Sequence, residues 1–574
     1  MSIPLTRCFQ PAFLTAARRF MQATLAGFFT GLTTALPAFS ADQISFYYSI
    51  FERSIEISTL EEFAEEGRIN SQLRRYFSLA DVSPSEQRAF RAALQESADV
   101  DPVLLSRFFY SNIGEDILEK FLGDLIRTES GLNGIYSLRS ALILAAQDDD
   151  GLSVLNFLRH LPTDMQINLR SVLAASETVE SAVQATQFAI DTLTTLSNQE
   201  ALNERPVMFD NMRRLNQRGG YGVQFERWEL TSERRNWVEG TIYQREFNVD
   251  VFYPQQWRAG KTPVIVFSHG LASGPEYYDE WAKLMASYGF VVALPQHPGS
   301  DVEQRDRFLN GFSSKIFSVN EFIDRPQDIS DVIDELERRN QTDFDGQLDL
   351  TNVGVGGHSF GGYTAFAVAG ATINFDFLAA ECSDRFSTVN TSLLLQCQAL
   401  DLPRRDYSFR DERVQAISVM NPVNSSIFGR EGLSRIQIPV NVVAGSFDPA
   451  TPVIFEQFRT FPWIESEEKY LGLIEGQAHV DFSEIDAGIT DTINSVSGLT
   501  LPDPKVIDVY ENSISVAFFE VYTAEDERYR PYLQAAYSDF LSRDQEFDLH
   551  LISDEMEAEL EAAIEAFETK SDVI

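Results

Sequence analysis

Residues 352–369 read Asn-Val-Gly-Val-Gly-Gly-His-Ser-Phe-Gly-Gly-Tyr-Thr-Ala-Phe-Ala-Val-Ala, and this stretch decides the fold. Its centre, from Gly357 to Gly361, is a G-x-S-x-G motif around Ser359. The residues before the motif are typical of a short buried strand, and those after it of a helix of small and apolar residues. A serine in this strand–turn–helix context lies on a tight turn above a sheet, which predicts Ser359 as a nucleophile.

The motif alone is a weak signal, because G-x-S-x-G arises by chance about 0.2 times in a chain of this length. An ordinary serine in a glycine-rich turn is the alternative. Serine is a poor nucleophile unless a base takes its proton, so the choice depends on whether the sequence offers a base and an acid that orients it.

Two later strand ends offer these groups. Residues 438–445 are typical of a buried strand and lead into Asp448, which is followed by prolines at 449 and 452. Residues 470–474 lead into a loop that carries His479. We therefore predict His479 as the base and Asp448 as the acid that holds its imidazole.

The alternatives for the base and the acid are few. The chain has six histidines, of which only His479 follows the acid at the end of a predicted strand. His550 lies in a late acidic segment and is interpreted as a surface residue. Glu475 and Asp481 are close to His479 in sequence and compete with Asp448, although a carboxylate from a different strand end orients an imidazole better.

An earlier strand predicts the site of the oxyanion. The β-rich run at residues 263–268 ends in His269 and Gly270. The backbone N–H of Leu271, or that of Ala272, is expected to pair with the N–H of Phe360, the residue after the nucleophile. His269 is interpreted as a turn residue without a role in proton transfer.

Residues 220–545 resemble the α/β-hydrolase superfamily, close to its dienelactone hydrolase and platelet-activating-factor acetylhydrolase branch. The residues that carry the resemblance are Ser268-His269-Gly270, Gln296-His297-Pro298-Gly299-Ser300, Arg325-Pro326-Gln327-Asp328-Ile329, residues 357–362, Asp448 and His479. The chain departs from the animal acetylhydrolases where residues 414–420, a predicted strand, end in Asn421-Pro422 rather than in an acid. Asp448 is therefore preferred as the acid.

The resemblance implies an α/β-hydrolase fold, with a mostly parallel sheet and helices on both faces, and a serine hydrolase that needs no cofactor. It implies carboxylic ester substrates, including short-acyl lipid esters, and so a role in lipid degradation. A thioesterase, a peptidase, a polyester hydrolase and a non-catalytic binding protein on the same scaffold remain alternatives.

The chain divides by pattern into five parts. We predict a signal peptide at residues 1–40, a mainly helical domain of unknown function at 41–200 and a linker at 201–222. The catalytic domain follows at 223–545, and an acidic C-terminal helix at 546–574. Within the helical part, Ser83-Pro84-Ser85-Glu86 predicts a helix start with reciprocal capping.

The first 40 residues indicate export. Three arginines precede an apolar run, and Ala38 and Ser40 form a cleavage site of small residues. The protein is therefore expected to be periplasmic or secreted, with no stable membrane span after cleavage, although an uncleaved anchor is the alternative. An oxidising compartment favours a disulfide between Cys382 and Cys397 over two free thiols.

The charge excludes several classes of partner. A formal net charge of −40 at pH 7 disfavours nucleic acid and anionic membrane surfaces. The sequence contains neither a CxxC nor an HExxH pattern, so no metal site is predicted. The expected partner is a small-molecule or lipid ester substrate.

Overall fold

A computed structural model describes residues 40–48, 51–79, 82–98, 100–119, 123, 125–383, 390–479 and 502–569. The predicted signal peptide, apart from its last residue, lies outside these ranges. The described residues form two compact units. The first comprises residues 40–183 and 308–315, and the second comprises residues 184–307, 316–479 and 502–569.

The first unit combines a small sheet with short helices. Its strands are β1 (Gln43–Tyr48), β2 (Phe51–Glu56), β3 (Ser97–Ala98), β4 (Ile126–Thr128), β5 (Leu152–Ser153) and β6 (Met165–Asn168). Its helices are α1 (Ile57–Glu66), α2 (Ser71–Leu79), α3 (Pro84–Gln95), α4 (Pro102–Phe109), α5 (Asn112–Ile117), α6 (Ile135–Gln147) and α7 (Val154–Arg159). A four-stranded sheet in the order β2-β1-β6-β4 accompanies the helices.

The start of α3 shows how the sequence fixes these helices. Ser83 is the N-cap residue, and its hydroxyl accepts a hydrogen bond from the Glu86 N–H at 3.3 Å. The Glu86 carboxylate accepts one from the Ser83 N–H at 2.8 Å. Two N–H groups without intrahelical acceptors are thus satisfied, as the capping pattern predicts.

The second unit is built on a nine-stranded sheet with the order β15-β14-β13-β12-β11-β9-β10-β8-β7. Its strands are β7 (Val223–Arg235), β8 (Ile242–Pro254), β9 (Thr262–Ser268), β10 (Val291–Pro295), β11 (Leu348–His358), β12 (Val414–Met420), β13 (Val440–Gly445), β14 (Lys469–Ile474) and β15 (Leu549–Ser553). The six strands from β14 to β10 are parallel, whereas β7, β8 and β15 run antiparallel to their neighbours.

Helices surround this sheet. They are α8 (Leu169–Asn203), which begins in the first unit, α9 (Asp279–Ser287), α10 (Val302–Leu309), α11 (Glu321–Asn340), α12 (Phe360–Ala369), α13 (Phe375–Ser383), α14 (Leu393–Gln396), α15 (Ser425–Leu433), α16 (Pro504–Tyr522), α17 (Ala535–Ser542) and α18 (Glu557–Glu568). Ile265 and Phe267 of β9 belong to a buried cluster with residues of α9 and α16. Because side chains alternate along a strand, Val264 and Val266 face the opposite side, where α11 and α12 contact β9.

The α/β-hydrolase fold predicted from the sequence is confirmed. Four of its six parallel strands, β9, β10, β13 and β14, are buried along their whole length, as expected for strands covered on both faces. Within the described ranges, no helix combines the length and the apolar character that crossing a membrane requires.

Two predicted segments differ from the structure. Residues 546–574 were expected to form only a helix, but Leu549–Ser553 is a strand that pairs antiparallel with β14, and the helix begins at Glu557. Leu549, Leu551 and Ile552 of this strand are buried, and such a short apolar run fits a strand as well as a helix.

The predicted linker at residues 201–222 is also wrong in part. Helix α8 continues to Asn203, and a 3-10 turn covers Phe209–Asn211. Phe209 and Leu215 are buried in the main core of the second unit. The Tyr288 hydroxyl contacts the carbonyl oxygens of Leu215 at 3.2 Å and Gln217 at 3.0 Å. Apolar side chains and these contacts dock the segment onto the sheet domain.

Candidate active site

Ser359 occupies a strained turn between β11 and α12. Its backbone has φ 56° and ψ −117°, a conformation that non-glycine residues rarely adopt. A Cβ atom on Gly361 would lie 1.9 Å from the Ser268 oxygen, and one on Gly357 would lie 2.2 Å from the Gly361 oxygen. Only glycine fits at these two positions, so the motif allows the turn and the close approach to β9.

The side chains of Ser359, His479 and Asp448 meet above the sheet. The Nε2 atom of His479 lies 2.8 Å from the Ser359 Oγ atom. The Nδ1 atom of His479 lies 2.7 Å from Asp448 Oδ2. An Nδ1–H group that donates to the carboxylate leaves Nε2 free to accept the serine proton. The three residues therefore have the distances that general-base activation of a serine requires.

Asp448 is held as a carboxylate. Its oxygens accept hydrogen bonds from the N–H groups of Ala450 at 2.8 Å and Thr451 at 2.9 Å, and from the Thr451 hydroxyl at 2.7 Å. Burial opposes ionisation, but His479 and the Thr451 donors outweigh it, and the pKa of Asp448 lies below its usual value. A charged acid beside Nδ1 stabilises an imidazolium at His479.

The other two carboxylates proposed as partners of His479 are placed differently. Glu475 contacts His550, with 2.9 Å between Oε1 and Nε2, and Asp481 lies outside the described residues. His550 is buried, with 6% of its surface exposed, so its interpretation as a surface residue is wrong. The cause is strand β15, which brings it against Glu475 and Thr194.

Glu475, Asp548 and His550 are close enough to one another to share a metal ion, with possible ligand atoms within 4.8 Å. The Nε2–H of His550, however, already faces Glu475 and the Thr194 hydroxyl at 3.1 Å. Hydrogen bonds from His550 therefore explain why these side chains lie together without a metal ion.

The turn after β9 adjoins the nucleophile. A Cβ atom on Gly270 would lie 3.4 Å from the Ser359 Cβ atom. The Ala272 N–H donates to the Ser300 oxygen at 2.7 Å, which removes Ala272 as an oxyanion donor. Among the described residues, the Leu271 and Phe360 N–H groups have no hydrogen-bond partner. Phe360 is the first residue of α12, so its N–H also lacks an intrahelical acceptor.

His358 makes contacts that the sequence did not indicate. Its Nε2 atom lies 2.9 Å from the His479 carbonyl oxygen, and its Nδ1 atom lies 3.1 Å from the Tyr278 hydroxyl. Burial, assisted by His479, lowers the pKa of His358 to about 3. The ring is therefore neutral and donates through Nε2–H to the backbone of the residue that carries the base.

A buried network of charged side chains lies behind the turn after β9. Arg325 and Asp328 of α11 are fully buried. His297 Nδ1 lies 2.8 Å from Asp328 Oδ2, and its Nε2 lies 2.9 Å from the Ser268 hydroxyl. Arg245 forms ion pairs with Glu321 at 2.8 Å and Asp328 at 2.7 Å. The motifs around His297 and Arg325 thus meet beneath the turn. Their separation in sequence gives no sign of this contact.

Asn421 directly follows β12, a strand end that carries no carboxylate. Its Oδ1 atom accepts a hydrogen bond from the Gly445 N–H at 2.8 Å, and its own N–H donates to the Val443 oxygen at 2.8 Å. Asn421 therefore ties the end of β12 to β13, the strand that leads to Asp448.

Cys382 and Cys397 form a disulfide. The bond joins the end of α13 to the residue that follows α14. It closes the insertion between β11 and β12, of which residues 384–389 lie outside the described ranges.

Two protein families match parts of the chain. Residues 40–168 match a family described as alpha/beta hydrolase of unknown function (DUF1400). Residues 244–384 match the family Chlorophyllase. No curated protein matches the sequence. Each family match covers less than half of the chain, and together with the fold they place the protein in the α/β-hydrolase superfamily. The Chlorophyllase match includes Ser359 and the turn at Leu271 but ends before Asp448 and His479.

Proposed function

We propose that this protein is a serine hydrolase that cleaves carboxylic esters. The observation that carries the proposal is the chain of contacts from Ser359 Oγ through the His479 imidazole to the buried Asp448 carboxylate. A neutral imidazole between a hydroxyl and a charged acid is the arrangement that activates serine. A binding protein on this scaffold needs neither of these two contacts.

The proposed reaction has two halves. Ser359 Oγ attacks the ester carbonyl carbon while His479 Nε2 takes the hydroxyl proton, and the Leu271 and Phe360 N–H groups receive the oxyanion. His479 then gives the proton to the departing alkoxide, and an acyl-enzyme remains. Water attacks that acyl group, His479 takes a proton from the water and returns it to Ser359, and the acid is released.

The proposed substrate class is narrower than esters in general. The resemblance to acetylhydrolases supports short-acyl lipid esters, and the partial match to Chlorophyllase supports a hydrolase. In the proposed reaction the acyl carbonyl must fit between Ser359 and the turn at Leu271. Export to an oxidising compartment is part of the proposal and is supported by the Cys382–Cys397 disulfide.

A fluorophosphonate reaction followed by intact-mass spectrometry tests the proposal. We expect one adduct on the wild type and on the control Ser434→Ala, and none on Ser359→Ala. Hydrolysis of p-nitrophenyl esters of graded chain length is expected to fall by at least about 10³-fold in Ser359→Ala. Equal turnover by wild type and Ser359→Ala would overturn the nucleophile. Folded wild type without an adduct or turnover would favour the binding protein.

A further inference from the structure

Arg325 is a fully buried cation that reaches the backbone of the turn next to Ser359. Its Nη1 atom lies 2.6 Å from the His269 oxygen, and its Nη2 atom lies 3.2 Å from the Gly270 oxygen. The guanidinium therefore binds two successive carbonyl groups. The reaction proposed above uses neither Arg325 nor these carbonyls.

The direction of a carbonyl fixes the direction of the next N–H. In a trans peptide the C=O of one residue and the N–H of the following residue point in opposite directions within one plane. The Gly270 carbonyl and the Leu271 N–H belong to the same peptide group. A donor that holds the Gly270 oxygen toward Arg325 therefore turns the Leu271 N–H away from Arg325, and it also polarises that N–H.

His269 binds the same carbonyl from its own side chain. Its Nδ1 atom lies 2.8 Å from the Gly270 oxygen, while its Nε2 atom accepts a hydrogen bond from the His297 N–H at 3.1 Å. Burial, followed by Arg325, lowers the pKa of His269 well below its usual value. The neutral ring with its proton on Nδ1 is thus a second donor to the Gly270 oxygen.

Arg325 also contacts the residue that holds the second oxyanion donor. The central carbon of its guanidinium lies 4.4 Å from the centroid of the Phe360 ring, within the range of a cation–π contact. One side chain therefore touches both segments from which the oxyanion donors come.

The guanidinium is itself held rigidly. Its Nε atom donates to the Ser300 hydroxyl at 2.8 Å, and that hydroxyl donates to Glu321 at 2.8 Å. Ser300 also accepts, through its backbone oxygen, the N–H of Ala272. Burial lowers the pKa of Arg325 to about 10, which leaves it charged at neutral pH. These contacts hold the guanidinium against the turn.

We propose that Arg325 is a positioning residue of the oxyanion hole, which fixes the Gly270–Leu271 peptide so that its N–H faces the reacting carbonyl. The inference rests on the proposed function, because an oxyanion hole has a purpose only in an acyl-transfer enzyme. His269 supports the same peptide. Neither residue touches the substrate.

Thionoesters separate this role from a merely structural one. A C=S group is a poor hydrogen-bond acceptor. An oxyanion hole therefore stabilises the transition state of a thionoester only slightly, whereas it fully stabilises that of the matching ester. We expect Arg325→Met to lower kcat for the ester by about 10- to 100-fold with little change in KM. Turnover of the thionoester changes much less, so the ratio of ester to thionoester rates falls. Arg325→Lys, which retains a positively charged donor group, restores part of the ratio.

Two further variants keep the test decisive. Arg258→Met breaks a partly buried ion pair elsewhere in the second unit, that with Glu520 at 3.0 Å, and is expected to lower stability without changing the ratio. If Arg325→Met fails to fold, His269→Leu replaces it, with His269→Asn as the variant that keeps a donor near Nδ1. A smaller ratio in His269→Leu than in His269→Asn supports the inference.

Equal losses for ester and thionoester in the Arg325 or His269 variants would overturn the positioning role while leaving the hydrolase intact. A wild type that turns over neither substrate would instead overturn the proposed function. The two failures are therefore distinguishable in one experiment.

Discussion

His358 fixes the backbone of His479, although it never meets a substrate in the proposed reaction. We expect His358→Leu to lower kcat by about 10-fold, because the His479 carbonyl loses its donor at 2.9 Å and the base loses one constraint on its position. His358→Gln places an amide N–H near the lost Nε2–H and is expected to recover most of the rate. Steady-state kinetics with one p-nitrophenyl ester compare the two variants, and equal losses would contradict the role.

A variant that removes the charge of Asp448 but keeps the volume of its side chain tests whether Asp448 is the acid. Asp448→Asn keeps the volume but offers His479 the wrong tautomer, and we expect kcat to fall by about 10⁴-fold. Glu475→Gln is the matched control, since Glu475 is paired with His550, and it is expected to retain nearly full activity. A large loss in Glu475→Gln with a small one in Asp448→Asn would reverse the assignment.

At the residue scale, the sequence predicted what lies at strand ends. Ser359, Asp448 and His479 each follow a recognisable buried strand, and parallel strands bring their carboxyl ends to one edge of a sheet. The roles of His358 and Arg325 depend on where a side chain points after the chain has folded. Arg325 contacts residues more than 50 positions away, and no local pattern encodes such a contact.

At the scale of elements, the disulfide holds the insertion between β11 and β12. The two cysteines are separated by 15 positions, and a loop of that size stabilises the folded state by about 3 kcal/mol. We expect Cys382→Ala/Cys397→Ala to lower the free energy of unfolding by about that amount in denaturant titrations. Wild type under reducing conditions serves as the control and is expected to match the double variant. Identical midpoints with and without reductant would contradict the prediction.

The elements that escaped prediction share a cause. Strand β15 has only five residues. The acidic helical sequence next to it is longer, and it led to the prediction of a helix for the whole of residues 546–574. The segment at 201–222 is rich in turn residues, yet Phe209 and Leu215 bury themselves in the core. The conformation of a short segment depends on the surface against which it packs, and the local sequence does not show that surface.

On the scale of the whole molecule, three carboxyl groups of the second unit make stability depend on pH. Burial raises the pKa values of Glu200, Asp324 and Glu511 each to about 7. In the unfolded chain such groups ionise near pH 4. Between about pH 4 and pH 7 these three groups therefore hold protons in the folded protein that they have released in the unfolded chain, and their contribution to the free energy of unfolding falls as pH rises.

We expect Glu511→Gln to reduce this dependence. The neutral amide needs no ionisation inside the protein, so the variant gains about 1–3 kcal/mol over wild type at pH 8 and nothing at pH 4.5. Denaturant titrations at the two pH values measure the difference. Glu527→Gln is the control, because Arg530 lowers the pKa of this exposed group, and it is expected to show no gain at pH 8. A gain for Glu511→Gln that is independent of pH would refute the explanation.

Strand β15 has a consequence for the order in which the sheet can form. A ribosome makes β14 long before β15, and the chain from Glu475 to Asp548 must be synthesised in between. During that interval the outer edge of β14 carries unpaired N–H and C=O groups, and the loop with His479 extends from an incompletely paired strand. We expect a nascent chain that has already exposed Ser359, Asp448 and His479 to remain inactive. Pairing of β15 with β14 is thus expected to precede the proposed activity.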